Sequence, residues 1–302
     1  MDRLEAMSVL VAVVETGSLS AASRRLRTPL PTVSRKLAEL EAHLGTRLLI
    51  RSTRKLSLTD AGADYVAACR RILEQVGDAE RAASGEYSAP RGELILTAPI
   101  AFGRLHVLPT VAAFLASFPE INVRLVLGDR NARLIEDDID MAVRIGALPD
   151  SSMVATRVGF VRRVVCGSPG FFAGHGTPKR PEDLADLACV TFDALASPTA
   201  WRFPTPDAKA ERPVPIRSRL SVNTAEAAVD AAVAGLGVTR VLSYQAAQAV
   251  RDGTLQIVLA AFEPAPLPVS LLHAAQGSLP LKMRAFLDFA APRLRQALAA
   301  AS

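Results

Sequence analysis

The sequence predicts an α+β multidomain chain. A winged helix-turn-helix is expected over residues 1–58, a long linker helix and hinge over 59–90, and an α/β domain over 91–302. Three observations predict this. Apolar residues recur at helical spacing through three short segments and then give way to a basic strand pair. One unbroken helical pattern of about 25 residues follows, rising almost 40 Å. From Gly92 onward strand-like and helical segments alternate, the signature of α/β layers with mostly parallel sheets. At 302 residues the chain outgrows one core and suits two or three domains.

Composition narrows the classes. Half the residues are apolar and 22% are charged, a globular and not a disordered mixture. No apolar run reaches the roughly 20 residues of a bilayer span. Met1-Asp2-Arg3-Leu4-Glu5 is acidic where a leader peptide is basic, so the cytoplasm is the expected location. Cys69, Cys166 and Cys189 are odd in number and far apart, which is no disulfide framework. His43, His106, His175 and His273 are equally scattered, so neither a metal nor a cofactor is expected.

The net charge is +5, and its location matters more than its size. Between Arg24 and Lys55 stand nine basic residues and two acids, Glu39 and Glu41, a local +7 that leaves the rest of the chain at −2. Such a block is either a solvated basic face or the footprint of a polyanion partner. The pattern inside it decides.

Leu4, Met7, Leu10, Val11 and Val14 mark a first helix over residues 3–15, stopped by Gly17. Ser18 caps a second, from Leu19 to about Leu26. The third runs from about Pro31 to His43, with Val33, Leu37, Leu40 and Leu44 as its inward stripe. At 100° per residue Arg35 falls nearly opposite that stripe, with Ser34 and Lys36 on its flanks. Thr32, Ser34, Arg35 and Lys36 thus form the polar, cationic start of a helix suited to the major groove. Leu48-Leu49-Ile50-Arg51 and Leu56-Ser57-Leu58 read as a hairpin with Arg51, Arg54 and Lys55 at or near its tip, a wing placed to neutralise phosphates.

Four segments carry a resemblance: residues 18–26 (SLSAASRRL), 31–41 (PTVSRKLAELE), 44–49 (LGTRLL) and 58–62 (LTDAG). Together they are similar to the N-terminal signature of LysR-type transcriptional regulators, nearly continuously over residues 2–62. The resemblance implies DNA contacts at Pro31, Thr32, Ser34 and Arg35, with Arg51 and Arg54 on the backbone. One departure is Pro29-Leu30, where the family often has Ser-Gln. Leu30 offers only apolar contact, such as to a thymine methyl, which changes the base preference expected there.

Thr59 or Asp60 starts the long helix, whose stripe is Tyr65, Val66, Cys69, Ile72, Leu73 and Val76. That length exceeds what a small N-terminal domain can cover, so the stripe meets either a second chain or the C-terminal domain. The resemblance implies pairing through this helix into homodimers or homotetramers. It ends near Ser84-Gly85, and Ser88-Ala89-Pro90 is the hinge.

In the C-terminal region strands are expected at 94–98, 123–127, 141–145, 189–192, 238–241 and 255–259, and helices at 109–118, near Leu134, at 225–234 and at 280–295. The order resembles the family's effector domain, which is similar to type 2 periplasmic binding proteins. That likeness implies two lobes, 91–161 plus 267–302 and 162–266, with a small-molecule effector between them. Residues at strand ends line such a cleft: Pro99, Ile100, Ala101, Phe102, Arg144, Ile145, Gly146, Phe192, Asn223 and Thr224. A helix start at Asn223-Thr224 suits a carboxylate. Arg144 serves either that carboxylate or a structural ion pair, and Trp201 either walls the cleft or packs in a core. The family implies small organic acids or aromatic metabolites as effectors.

Enzyme readings are weaker. Ser52-Thr53-Arg54-Lys55 has the S-x-x-K spacing but no S-D-N or K-T-G partner. Gly235-Leu236-Gly237 lacks the third glycine of a dinucleotide loop, and Asp137-Asp138 has no nucleophile beside it. Two readings remain: a ligand-responsive DNA-binding regulator, or a cytoplasmic small-molecule binding protein whose N-terminal domain mediates protein contacts.

Overall fold

A computed structural model describes residues 2–51, 56–83, 89–129, 139–148, 153–192, 199–205, 210–274 and 279–300. The chain divides into two compact units, residues 1–89 and 90–302, each with its own core.

The first unit contains α1 (Arg3–Thr16), α2 (Leu19–Leu26), α3 (Leu30–Leu44), β1 (Leu49–Arg51), β2 (Leu56–Leu58) and α4 (Asp60–Ala83). Asp2 caps α1, its carboxylate accepting the Glu5 N–H at 3.2 Å. The Ser18 hydroxyl caps α2 through the Ala21 N–H at 3.1 Å. Gly17 and Gly45 end α1 and α3 at φ 72° and 66°, a left-handed turn that glycine adopts without strain. α3 starts at Leu30, one residue before its expected first turn, with Pro31 inside that turn. Leu10, Val13, Ala22, Val33, Leu37 and Leu40 are each 0% exposed, so the three helices close on one seam. β1 and β2 pair antiparallel, Leu49 opposite Leu58.

The second unit holds two five-stranded sheets. The first contains β3 (Gly92–Ala98), β4 (Ile121–Leu127), β5 (Met141–Ile145) and β6 (Met153–Val161). Between β3 and β4 run α5 (Ile100–Phe102), a π-helical turn (Gly103–Val107) and α6 (Leu108–Ser117). The second sheet opens with β7 (Arg163–Gly167), followed by α7 (Pro169–His175), a 3-10 turn (Pro181–Asp186) and β8 (Ala188–Phe192). A separate hairpin of β9 (Ala200–Pro204) and β10 (Glu211–Pro215) follows. Then come β11 (Arg217–Val222), α8 (Ala225–Val233), β12 (Val238–Leu242), α9 (Ser243–Arg251) and β13 (Gln256–Val258). β14 (Leu267–Ala274) returns to the first sheet, and α10 (Leu281–Ala300) packs on it.

Strand order is β4-β3-β5-β14-β6 in one sheet and β11-β8-β12-β7-β13 in the other. Each therefore carries three parallel strands, one reversed strand and a fifth that is parallel again. Four of five strands in each sheet run the same way, as expected of mostly parallel sheets, and the one reversed strand makes each sheet mixed. Topology explains it. β7 and β14 each begin where the chain crosses between sheets, at the carboxyl ends of their neighbours, so they must run the opposite way.

The crossings are fastened. Arg162 Nη1 donates to both carboxylate oxygens of Glu263 at 3.0 Å. The Arg162 N–H donates to the Ser243 hydroxyl at 3.2 Å, and the Ser243 N–H to the Arg162 carbonyl at 2.8 Å. Ile100–Ser117 is long and apolar enough, by length and composition, to cross a bilayer. Here Phe102, Val111 and Phe114 bury it in the core of the first sheet instead.

Candidate nucleic-acid interface and ligand cleft

α3 stands on a ridge of Val33, Leu37 and Leu40, none of which is exposed. On that base Pro31 and Arg35 face solvent, and Thr32 and Ser34 are half-buried beside them. Arg35 keeps 67% of its side chain exposed while pairing with Glu39 at 3.3 Å, one turn along the same helix. Lys36 departs from the expected outward placement. Only 15% of its side chain is exposed, and its ammonium pairs with Glu5 of α1. Its flank of the stripe is the one α1 covers, so Lys36 fastens two helices together. The Arg51 side chain, Arg54 and Lys55 lie outside the described residues, as does the Ser52–Lys55 motif.

Three exposed cations were not assigned a contact from the sequence: Arg24, Arg27 and Arg47. They make no ion pair among the described residues. Arg25, in contrast, pairs with Glu15 at 2.7 Å. The basic block was legible, but sorting its paired from its unpaired members requires the packing of α1 against α2.

The stripe of α4 divides in two. Val66 and Cys69 are 2% and 0% exposed within the core of the first unit, and Tyr65 packs against the same core. Burial pushes both the Tyr65 and the Cys69 pKa up, and the two side chains share a hydrogen bond. Val66 and Cys69 therefore pack on their own domain, a correction to their expected place in a subunit interface, while Tyr65 is half-buried against the same core. Ile72 is exposed, and Leu73 and Val76 are half-buried.

In the second unit the expected cleft residues follow the carboxyl ends of β3, β5, β8 and β11. The ring of Phe102, just past β3, meets the ring of Tyr244, just past β12, edge-on at 5.3 Å. That contact sets the carboxyl ends of the two sheets against each other. Not every strand-end residue faces the gap. Ala101 and Phe102 are 3% and 0% exposed in the first core, and Phe192 packs in the second. They are wall supports and not lining: the helix that begins at Ile100 turns Ala101 and Phe102 inward, and Phe192, at the end of β8, packs against α8. Pro99, Ile100, Arg144, Ile145 and Gly146 are half-buried, Thr224 is half-buried and Asn223 is exposed.

Local bonds hold these positions. The Ile100 N–H donates to Asp129 Oδ1 at 3.0 Å. Gly146, at φ 109°, donates its N–H to the Pro268 carbonyl at 2.9 Å. Thr224 caps α8, its hydroxyl accepting the Ala227 N–H at 3.3 Å. Burial lowers the Arg144 pKa, the response of a cation moved out of water. Trp201 is buried with Phe203 and Val214 under the hairpin, which settles it as packing. No cluster of three or more metal-ligating side chains occurs among the described residues. Asp137-Asp138 and the helical patch near Leu134 lie outside them.

Known proteins share this arrangement. Residues 4–63 match the bacterial regulatory helix-turn-helix of the lysR family, and residues 88–295 match the LysR substrate binding domain. An HTH-type transcriptional regulator of Xanthomonas campestris pv. campestris is 35% identical over 95% of this chain and 84% of its own length. The chain belongs to the LysR family. The HTH-type transcriptional activator AaeR of Escherichia coli is 31% identical over 95% of this chain and 93% of its own. The solved structure of CrgA, a LysR-type transcriptional regulator from Neisseria meningitidis, is 30% identical. It superposes with a TM-score of 0.62, covering 96% of this chain and 98% of that one. The protein is thus a LysR-type DNA-binding transcriptional regulator. Its first unit carries the winged helix-turn-helix, and its second is the two-lobed effector domain, built like type 2 periplasmic binding proteins.

For this LysR-type regulator the glycine at 62 has a mechanical reason. A Cβ there meets the Leu48 carbonyl, so only glycine lets α4 start against the wing strand. Thr59 completes that junction, accepting the Gly62 N–H at 2.9 Å and donating to the Arg47 carbonyl at 2.8 Å.

Proposed function

We propose that the first turns of α3 enter the major groove of promoter DNA, with Pro31, Thr32, Ser34 and Arg35 at the base edges and nearby phosphates. One observation carries this reading: Arg35 projects 67% exposed from a helix whose opposite ridge is wholly buried. A rigid base with an exposed cationic face is what reading base edges requires. Arg51, Arg54 and Lys55 on the wing neutralise backbone phosphates, and Lys36 acts indirectly by holding α3 on α1. The chain works in the cytoplasm, by binding and not by catalysis, as a homodimer or homotetramer joined through the far end of α4. A small organic acid or aromatic metabolite enters between the lobes and shifts the regulator between states. Arg144 and the α8 start at Asn223 and Thr224 hold its carboxylate.

Binding of the full-length protein to the DNA flanking its own gene, footprinted and then titrated across salt concentrations, tests the first part. Log affinity should fall steeply with log salt, as expected when several phosphates are neutralised. Arg35→Ala should cost about 1–3 kcal/mol on the footprinted site and less on random DNA. Equal losses on both would reduce Arg35 to a phosphate contact. Absence of DNA binding at low salt would overturn the reading.

A further inference from the structure

Four buried side-chain nitrogens lack a hydrogen-bond partner among the described residues, and three are guanidinium Nε atoms, of Arg163, Arg212 and Arg240. Arg212 has a counter-charge in Glu182. The Arg163 and Arg240 side chains have no ion pair or hydrogen bond to any described residue. On antiparallel β7 and β12 Arg163 lies opposite Leu242 and Arg240 opposite Val165. The two arginines are therefore diagonal neighbours on one face of the second sheet, with backbones about 7–8 Å apart. Arg240 is 4% exposed and rests against the Phe203 ring at 4.8 Å. Among the described residues Glu211, at the start of β10, is the one acid whose field reaches both, yet it is exposed and bonds neither.

Among the described residues, two cations against one distant acid leave a net positive charge inside the fold. Burial, and the nearby Arg163 charge, push the Arg240 pKa down to about 10, and burial lowers that of Arg163. Both remain cationic at neutral pH. A buried, unpaired charge costs several kcal/mol, and removing that cost takes an anion with oxygens to accept the guanidinium N–H groups. Arg163 is only half-buried, so approach is open from its side.

We propose that Arg163 and Arg240 form a binding site for a small oxyanion, a carboxylate or a phosphate, held between their guanidinium groups beside Phe203. The site sits under the β9–β10 hairpin, on a different sheet from Arg144, and does not depend on the effector reading.

Titration of the full-length regulator with sodium phosphate and, separately, sodium acetate tests it, with chloride holding ionic strength constant. Melting temperature and calorimetric affinity are the readouts. At least one oxyanion should raise the melting temperature saturably where chloride does not, and which one does so fixes the chemical class. The DNA-binding unit also meets phosphate groups, so variants make the assignment. Arg163→Gln and Arg240→Gln should each weaken binding more than about tenfold, the loss expected for charge-assisted hydrogen bonds. Glu211→Gln should tighten it by removing a competing carboxylate. If Arg240→Gln does not fold, Arg163→Gln and Glu211→Gln decide, both positions reaching solvent. Unchanged affinity in those two, or an equal effect of chloride, would overturn the proposal.

Discussion

Glu41 lies within a run of nine cations, where charge balance alone accounts for its presence. Its carboxylate does something more specific. It accepts the N–H groups of Leu48 and Leu49 at 2.8 and 3.1 Å, tying the end of α3 to the wing strand. Leu48 and Leu49 are 1% and 5% exposed, so water cannot easily replace that acceptor. Glu41→Ala should therefore lower unfolding free energy by about 2–3 kcal/mol, the cost of stranding buried donors. Glu41→Gln, whose amide oxygen still accepts, should lose less, and urea denaturation of the two variants separates them. Equal losses would trace the effect to charge. Neither this role nor the turn of Lys36 toward Glu5 was legible beforehand. Helical periodicity gives the direction of a side chain from its own axis, not which neighbouring element stands there.

The same distinction operates on whole elements. The stripe of α4 is continuous in sequence, and its spacing was read without difficulty. Its assignment to one interface failed because a helix start and a helix end meet different surroundings. Val66 and Cys69 are drawn into the first unit where Gly62 lets α4 touch the Leu48 carbonyl. Beyond them Ile72 emerges into solvent. Val66→Asp should unfold the first unit, since it buries an unpaired charge in a closed core. Ile72→Asp combined with Val76→Asp should leave the fold intact and shift sedimentation toward the monomer. An unaltered oligomer would move the subunit contact off this end of α4. Several strands escaped the sequence reading for related reasons. β7 opens with Arg163 and is then buried on both faces, so it shows no alternation, and Pro264, Pro266 and Pro268 disguise the approach to β14 as a loop.

Across the whole molecule the resemblance of the first sixty residues foretold the family. The two-lobed architecture followed from that likeness and a weaker one downstream. The lining of the cleft did not follow as well. Nearness to a strand end along the chain does not say which way a side chain turns, and Ala101, Phe102 and Phe192 turn into cores. Arg144 escapes that fate because β5 ends at Ile145 and Gly146 bends away. Both sheets have the same strand order, and the strands joining them are pinned by the Arg162–Glu263 pair. In the proposed reading a ligand shifts the lobes only through differential contact with both carboxyl ends. In that reading Arg144, on the first sheet, and the α8 start, on the second, supply one contact each to a carboxylate. Arg144→Ala should then abolish the response of a promoter reporter to a carboxylate effector while leaving basal DNA affinity as it is in the parent. A response that survives would place the anionic grip on the α8 start alone, and a ligand held by one lobe has no leverage on the other.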